Sequence, residues 1–336
     1  MTRSSSSAAA TAEVSGPDRA WPRHLLEVDE LSLTELQTLV TTARVLREHA
    51  EPRAEGNPAL RGRRVALLFA EPSTRTRLSF EIAARNLSAE VLLLDPERSS
   101  LVKGESLADT ARTLDALGAD FLVLRHHRSG APWVAARHFA GSVVNAGDGW
   151  HAHPTQALLD LLTLCRGFGS DDLRGRKVAI VGDLRHSRVG RSNAWSLTCA
   201  GADVWACAPA PLLRGFDELA GQLPADRLMT LTDDVAAALD GADAVMALRI
   251  QFERMGREES ISRSEYVARY RITEERLVAH GAPGAYFLHP GPVNEGIEVT
   301  REVARGPRSL VLEQVRNGVP MRMAVLATLA DRPGTG

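Results

Sequence analysis

Cysteine is scarce: three occur in 336 residues, Cys165, Cys199 and Cys207, and no CxxC pair is among them. That removes both a disulfide framework and the ligand spacing of a structural zinc site, and each cysteine sits in an apolar stretch that reads as core in a reducing compartment. An excess of charge is lacking too. With a formal net charge of -2, no global field draws the chain to nucleic acid or an anionic membrane, so any anion site must be a local cluster of Arg and Lys. No segment approaches the roughly 20 continuous apolar residues that span a bilayer. The opening MTRSSSSAAATAEVSGPDRAWP has no apolar h-region and carries Glu13 and Asp18, which speaks against a secretory signal, and the one early Arg3 gives a transit peptide little support. Residues 1 to about 20 read as a flexible tail and the protein as cytoplasmic. No internal repeat occurs, nor any low-complexity segment beyond the tail.

What is present is the balance of a globular protein, 44% hydrophobic and 24% charged, at a length suited to two domains. Short apolar runs alternate with helical periodicity: RVALLF, VLLLD, FLVLR and GSVVNAG, then KVAIVGD, ADVWACA, ADAVMAL and AYFLHP. This is the pattern of βαβ units and parallel sheets. Leu107, Ala111, Leu114 and Leu117 fall at three- and four-residue steps, as do Leu158, Leu161, Leu162 and Cys165, and each set predicts a buried helix face. The expected fold class is therefore α/β, two open parallel-sheet domains joined by interdomain helices. A first domain over 21–154 and a second over 155–311 are expected, the junction lying where a helix from Thr155 leads into GFGSDDLRGRK. The stretch LEQVRNGVPMRMAVLATLA reads as two helical pieces broken at Asn317-Gly318, with Pro320 in the first turn of the second. Residues 312–331 would pack back on the first domain.

The strongest local signal is Glu71-Pro72-Ser73-Thr74-Arg75-Thr76-Arg77, between a strand ending at Phe69 and a helix with Phe80, Ala83, Ala84 and Leu87 on its inner face. Unpaired N–H groups at a helix start, hydroxyls and a guanidinium fork together make an anion cradle. A hydroxyl could simply cap the helix, but capping does not require two threonines interleaved with two arginines. His151-Ala152-His153 is an HxH that suggests a metal site of amidohydrolase type; such a site needs further ligands and an eight-stranded barrel, and the open-sheet pattern argues against it. His153 could equally cap the helix at Pro154. PERSSLVKGES, residues 96–106, reads as a loop, and QFERMGREESISRSEYVARYR, residues 251–271, as a long polar loop of the kind that is more often functional than ornamental.

Ser73-Thr74-Arg75-Thr76-Arg77, His153-Pro154-Thr155-Gln156 and Val181-Gly182-Asp183-Leu184-Arg185-His186-Ser187-Arg188 resemble, in order and spacing, the successive signatures of the aspartate/ornithine carbamoyltransferase family. The resemblance runs from about Trp21 to Leu329. It implies that Ser73, Thr74, Arg75 and Thr76 hold the phosphate of carbamoyl phosphate, that Thr76, Arg125 and His153 reach the carbamoyl oxygen, and that Gln156 binds its amide nitrogen. Donors aimed at an oxygen that gains charge stabilise the transition state more than the ground state. Ser99 and Lys103 would come from a neighbouring subunit, Lys103 reaching both substrates, which implies a homotrimer with shared sites. Arg188, Arg249 and Gln251, with Gly291 and Pro292, would hold the amino-acid acceptor. Glu71, Arg188 and Arg254 would form an interdomain ion network, and the 251–271 segment the closing loop.

For the acceptor, Pro290 in His289-Pro290-Gly291-Pro292 stands where ornithine enzymes of the family carry cysteine, and Arg249-Ile250-Gln251 with Glu253-Arg254 follows the aspartate pattern. Two arginines also suit two carboxylates. Gly291 departs from the leucine of some aspartate enzymes, which removes side-chain packing from the pocket. The resemblance thus implies attack of a neutral α-amine of aspartate on carbamoyl phosphate, with the departing phosphate taking the proton and with no metal or organic cofactor. A different acceptor, ornithine-like, is one alternative; a catalytically silent assembly subunit is another, against which every expected site residue is present. A dinucleotide oxidoreductase fails on the glycines: after Gly182 comes Asp183-Leu184-Arg185-His186-Ser187-Arg188, not G-x-G-x-x-G, and no P-loop occurs. Larger assemblies with regulatory or dihydroorotase-like chains are compatible with the resemblance.

Overall fold

The computed structural model describes residues 21–51, 56–95, 104–256 and 261–331. The expected tail, Ser99 and Lys103 lie outside the described residues. The first half runs α1 (Leu33–Val45), α2 (Arg47–Ala50), β1 (Arg64–Phe69), α3 (Thr74–Asn86), β2 (Glu90–Leu94), α4 (Leu107–Ala116), β3 (Phe121–His126), α5 (Ala131–Ala136), β4 (Ser142–Asp148) and α6 (Pro154–Phe168). The second runs β5 (Lys177–Val181), α7 (Arg188–Cys199), β6 (Asp203–Cys207), α8 (Phe216–Gln222), β7 (Met229–Thr232), α9 (Val235–Leu239), β8 (Ala244–Ala247), α10 (Arg263–Tyr270), α11 (Glu274–Ala279), β9 (Tyr286–Leu288), α12 (Arg301–Arg305) and α13 (Val311–Ala330).

Two parallel sheets result, ordered β2-β1-β3-β4 and β7-β6-β5-β8-β9. Helices flank both sheets, so most of the strands read as near-continuous apolar runs. The pleat divides β1 between two cores. Val65, Leu67 and Phe69 join Phe80 of α3, Leu158 of α6 and Met321 of α13, whereas Ala66 and Leu68 join Ala111 of α4 and Ala135 of α5. The first of these cores continues into the second sheet through Val178 and Ile180.

In each sheet the chain winds outward in one direction, then crosses to the other side of its first strand. The crevices at these reversals, between β1 and β3 and between β5 and β8, are where open α/β sheets bind ligands, outside the strands' carboxyl ends. The turn Glu71–Ser73 and Arg125 flank the first crevice; Asp183–Arg188 and Leu248–Gln251 flank the second.

Several local expectations give way. α13 is one continuous helix with Pro320 inside it, not two pieces. Packing against α3, α6 and α1 outweighs the local helix-breaking signal, because burial supplies most helix stability in proteins. Its turn-like residues are used instead: Asn317 Nδ2 donates to Thr163 Oγ1 at 2.9 Å, Arg47 Nη1 donates to Asn317 Oδ1 at 2.6 Å, and Gly318 makes room for the Arg322 guanidinium, which donates to its carbonyl at 3.0 Å. Leu117 is 61% exposed, since it is the C-cap residue of α4 and has left the helix face. The segment expected as one long loop ends in α10, capped by Ser262 and anchored by the buried Tyr266 and Tyr270. β7, whose sequence MTLT is half polar and half-buried throughout, carried no apolar signal. Cys199 is half-buried rather than core.

Candidate active site

Between the two crevices lies a cleft of about 640 Å³. Glu71, Ser73, Thr74, Arg75, Thr76, Arg125, His153, Gln156, Arg188, Arg249, Gln251, Arg254, Gly291 and Pro292, each singled out in the sequence, all line it. The cradle forms because β1 delivers the chain to the cleft and α3 begins at Thr74. Ser73 is the N-cap residue, but its side chain makes no cap hydrogen bond, so the capping explanation does not hold and the hydroxyl stays available. Thr76, in the first turn of α3, is buried while Arg75 stands at the lip, its Nη2 3.5 Å from the Pro290 carbonyl.

Opposite the cradle, Arg125 at the end of β3 donates through Nη2 to Glu71 Oε1 at 3.2 Å and through Nη1 to the Ala146 carbonyl at 3.5 Å. Burial and the nearby Arg188 lower its pKa to about 10, which leaves it cationic at neutral pH. His153 is 3% exposed and sits at the N-cap of α6 without a side-chain cap bond. Its backbone N–H donates to Ser192 Oγ at 2.9 Å, and its Nδ1 is buried with no partner. Burial, then Arg125, Arg188 and Arg322, hold its pKa well below the usual histidine range, so it is neutral. His151 points elsewhere, to Glu27 at 3.2 Å and the edge of Trp133. The two histidines therefore do not converge, and among the described residues no cluster of three metal-ligating side chains is found.

The second crevice brings arginines to the same space. Arg188, 8% exposed, opens α7 and reaches Glu71 in a bidentate pair, Nη1 to Oε2 at 2.8 Å and Nη2 to Oε1 at 2.9 Å; Nη1 also donates to the Gly149 carbonyl at 3.3 Å. Gly147, at φ +115°, permits this approach: a Cβ there would lie 3.0 Å from Arg188 Nε and 3.3 Å from His153 Cδ2. Arg254 Nη2 is 3.9 Å from Glu71 Oε1. Arg249 lies two residues past the end of β8 and is half-buried. Gln251 is fixed by its N–H to Asp183 Oδ2 at 3.1 Å and by its Nε2 to the His186 carbonyl at 3.0 Å; Asp183 in turn meets His186 Nδ1 at 2.9 Å.

Sequence reading missed His289, Gln314 and Arg322, which line the same cleft. His289 was available as the first residue of the HPGP run. Burial lowers its pKa to about 3, and because Nδ1 accepts from the Gly291 N–H at 2.8 Å, the ring proton sits on Nε2. Arg322 was signalled by a lone charge inside the apolar run VPMRMAVLA. It is fully buried, its guanidinium 5.0 Å from the Phe80 ring. The cleft is thus lined by cations and neutral donors, with Glu71 the counter-charge: a geometry for bringing two anions together.

The family profile described as "Aspartate/ornithine carbamoyltransferase, carbamoyl-P binding domain" matches residues 23–166, and that described as "Aspartate/ornithine carbamoyltransferase, Asp/Orn binding domain" matches 174–329. The chain is 47% identical over 315 residues to the aspartate carbamoyltransferase catalytic subunit of Roseiflexus sp. (strain RS-1), covering 94% of this chain and 97% of that one. It is 48% identical to the corresponding subunit of Chloroflexus aggregans, covering 92% and 98%. Among solved structures, aspartate transcarbamoylase from Trypanosoma cruzi in complex with N-(phosphonacetyl)-L-aspartic acid superposes with a TM-score of 0.78 at 29% identity, over 91% of this chain and 95% of that one. Ornithine carbamoyltransferase from Thermus thermophilus gives 0.77 at 30% identity, over 93% and 100%.

Proposed function

The chain belongs to the aspartate/ornithine carbamoyltransferase family, and on that premise we propose that it transfers the carbamoyl group of carbamoyl phosphate to the α-amine of L-aspartate, giving N-carbamoyl-L-aspartate and phosphate. The observation that carries this reading is the convergence, in one cleft, of the Ser73–Thr76 cradle with Arg125 and His153 on one side and Arg188 and Arg249 on the other. The fold itself is shared by aspartate and ornithine enzymes; the acceptor follows from the second-half arginines and from the aspartate enzymes among the relatives. The reaction is an early step of de novo pyrimidine biosynthesis.

In this mechanism Ser73, Thr74 and Arg75 hold the phosphate at the start of α3. Thr76, Arg125 and the neutral His153 surround the carbamoyl oxygen, where they stabilise the charge that develops as the amine adds. Gln156 takes the carbamoyl amide. Arg249, Gln251 and the remaining donors of Arg188 hold the two carboxylates of aspartate against Gly291 and Pro292, and Lys103 and Ser99 complete the site from a neighbouring subunit of a homotrimer. The departing phosphate accepts the amine proton, so the protein supplies position and charge rather than a base. The Glu71–Arg188–Arg254 network joins the donor half, 21–154 with α13 packed back on it, to the acceptor half, 155–311. The free cysteines suit a reducing cytoplasm, and the trimer is open to docking by regulatory or dihydroorotase-like chains.

The test is carbamoyl transfer by the purified protein, with aspartate, ornithine and other amino acids as acceptors, in EDTA. Turnover with aspartate alone is expected. Turnover with ornithine would overturn the acceptor assignment, and none with any acceptor would favour a silent assembly subunit.

A further inference from the structure

Asp160, on α6 one turn beyond Gln156, is completely buried behind the cleft and takes no direct part in the scheme above. Its carboxylate accepts three side-chain hydrogen bonds. Gln156 Nε2 reaches Oδ1 at 2.9 Å, Gln314 Nε2 of α13 reaches Oδ1 at 2.7 Å, and Asn193 Nδ2 of α7 reaches Oδ2 at 2.9 Å. A carboxylate only accepts, so whatever amide atom faces it must be nitrogen. Gln314 obeys the same rule from its other end, where its Oε1 accepts the His289 backbone N–H at 2.9 Å. The two constraints on Gln314 agree, which supports the ionised form of Asp160 as the group that orders this cluster.

For Gln156 the consequence is chemical. A glutamine amide offers a donor at one end and an acceptor at the other, and a site that leaves it free to flip recognises either kind of ligand group. With Nε2 tied to Asp160, the carbonyl Oε1 is the end left for the cleft that Gln156 lines.

We propose that Asp160 is a positioning residue that holds Gln156 with its carbonyl oxygen toward the donor substrate, so that the site selects an acyl phosphate bearing an NH2 group over one bearing a methyl group. The proposal rests on the reading that carbamoyl phosphate occupies this cleft. Carbamoyl and acetyl phosphate share the phosphate and the carbonyl that the cradle, Arg125 and His153 would recognise. They differ only at the group facing Gln156, and an acceptor oriented there rejects the partner that cannot donate.

The experiment compares the wild-type protein with Asp160→Ala, Gln156→Ala and the double variant, measuring KM for carbamoyl phosphate and Ki for acetyl phosphate at saturating aspartate. The ratio of the two affinities is expected to fall about tenfold, the worth of one good hydrogen bond, in each single variant, with no further fall in the double variant and little change in the Ki itself. A parallel loss of both affinities, or additive losses, would assign Asp160 a purely structural role and overturn the proposal. Neutron diffraction of the wild-type protein with phosphonoacetamide, a stable analogue carrying the same amide, reads the orientation without any variant: Gln156 Oε1 toward the ligand NH2 is expected, and an ND2 group there would refute it. Wild-type turnover with aspartate but no preference for carbamoyl over acetyl phosphate would sink this proposal and leave the proposed function standing; absence of turnover would sink the function itself.

Discussion

Glu71 and Arg188 meet end to end, both carboxylate oxygens on both terminal guanidinium nitrogens at 2.8 and 2.9 Å, and so tie the turn after β1 to the first residue of α7. Burial pushes the Glu71 carboxyl up, but Arg188 and Arg125 outweigh it and hold the carboxyl below its usual range. For a carboxylate with a lowered folded pKa, the contribution to stability is present above the unfolded value of about 4.3 and is lost as pH falls through the folded one. The pair is therefore at full strength at neutral pH.

Replacing Glu71 with Gln leaves Arg125 and Arg188 side by side without their counter-charge. Removing one partner of a desolvated pair costs on the order of 2 kcal/mol or more. In Glu71→Gln, kcat with saturating substrates is expected to drop about thirtyfold, with a lower melting temperature. Kinetics indistinguishable from wild type would mean that the pair is incidental to turnover.

His153 gives a second expectation. It is neutral in the folded protein, so kcat should show no inflection belonging to this ring between pH 6 and 8. His153→Ala should lose roughly a hundredfold in kcat, the cost of one donor to a developing oxyanion. Its lowered folded pKa also means that the unfolded chain gains a proton below about 6.5 which the folded protein refuses, so stability falls as pH falls through that range. The variant's melting profile should be flatter there than wild type, and a profile of equal slope would contradict the neutral assignment.

Tyr266 offers a third. It stacks on Tyr270 at 5.5 Å and meets the edge of Phe252 at 6.4 Å, which fastens α10 beneath the segment carrying Gln251 and Arg254. Tyr266→Ala empties a fully buried site at a cost of about 3–5 kcal/mol. Because the loosened segment belongs to the acceptor crevice, KM for aspartate should rise more than KM for carbamoyl phosphate. Equal changes in the two would show that the segment does not govern the acceptor.

The strand–turn–helix element around Glu71–Arg77 and the eight apolar strands were legible because each imposes a local sequence pattern. β7 was not, since its MTLT is half polar and half-buried throughout. The continuity of α13 was equally hidden: Asn317, Gly318 and Pro320 spell a break locally, and the packing of the helix against α3, α6 and α1 outweighs it. Gln314 and Arg322 come to the cleft from more than 150 residues beyond His153 in the chain, a distance over which no motif spacing reaches. Asp160 shows the remaining limit, because a carboxylate on a helix otherwise buried all round signals a polar network without naming its members.

Gly291 supplies the sharpest test of how the two crevices fit. Its φ is +69°, a region that side-chain-bearing residues enter at a cost of about 1–2 kcal/mol, and a Cβ built there would lie 2.7 Å from Arg75 Nη2 and 2.8 Å from Arg75 Cζ. The glycine therefore lets the Pro290-Gly291 loop close directly on the Arg75 guanidinium, which sits beside the Pro290 carbonyl. In Gly291→Leu the long Arg75 side chain can swing aside, but only by leaving the position from which it would meet the phosphate in the proposed mechanism. The expected result is a several-fold or larger rise in KM for carbamoyl phosphate with a modest loss of thermal stability. The double variant Gly291→Leu with Arg75→Ala should lose little beyond Arg75→Ala alone, because the displaced group is already absent. If Gly291→Leu instead alters KM for aspartate and leaves carbamoyl phosphate untouched, residue 291 acts through the acceptor pocket, and its contact with Arg75 is without consequence for the donor.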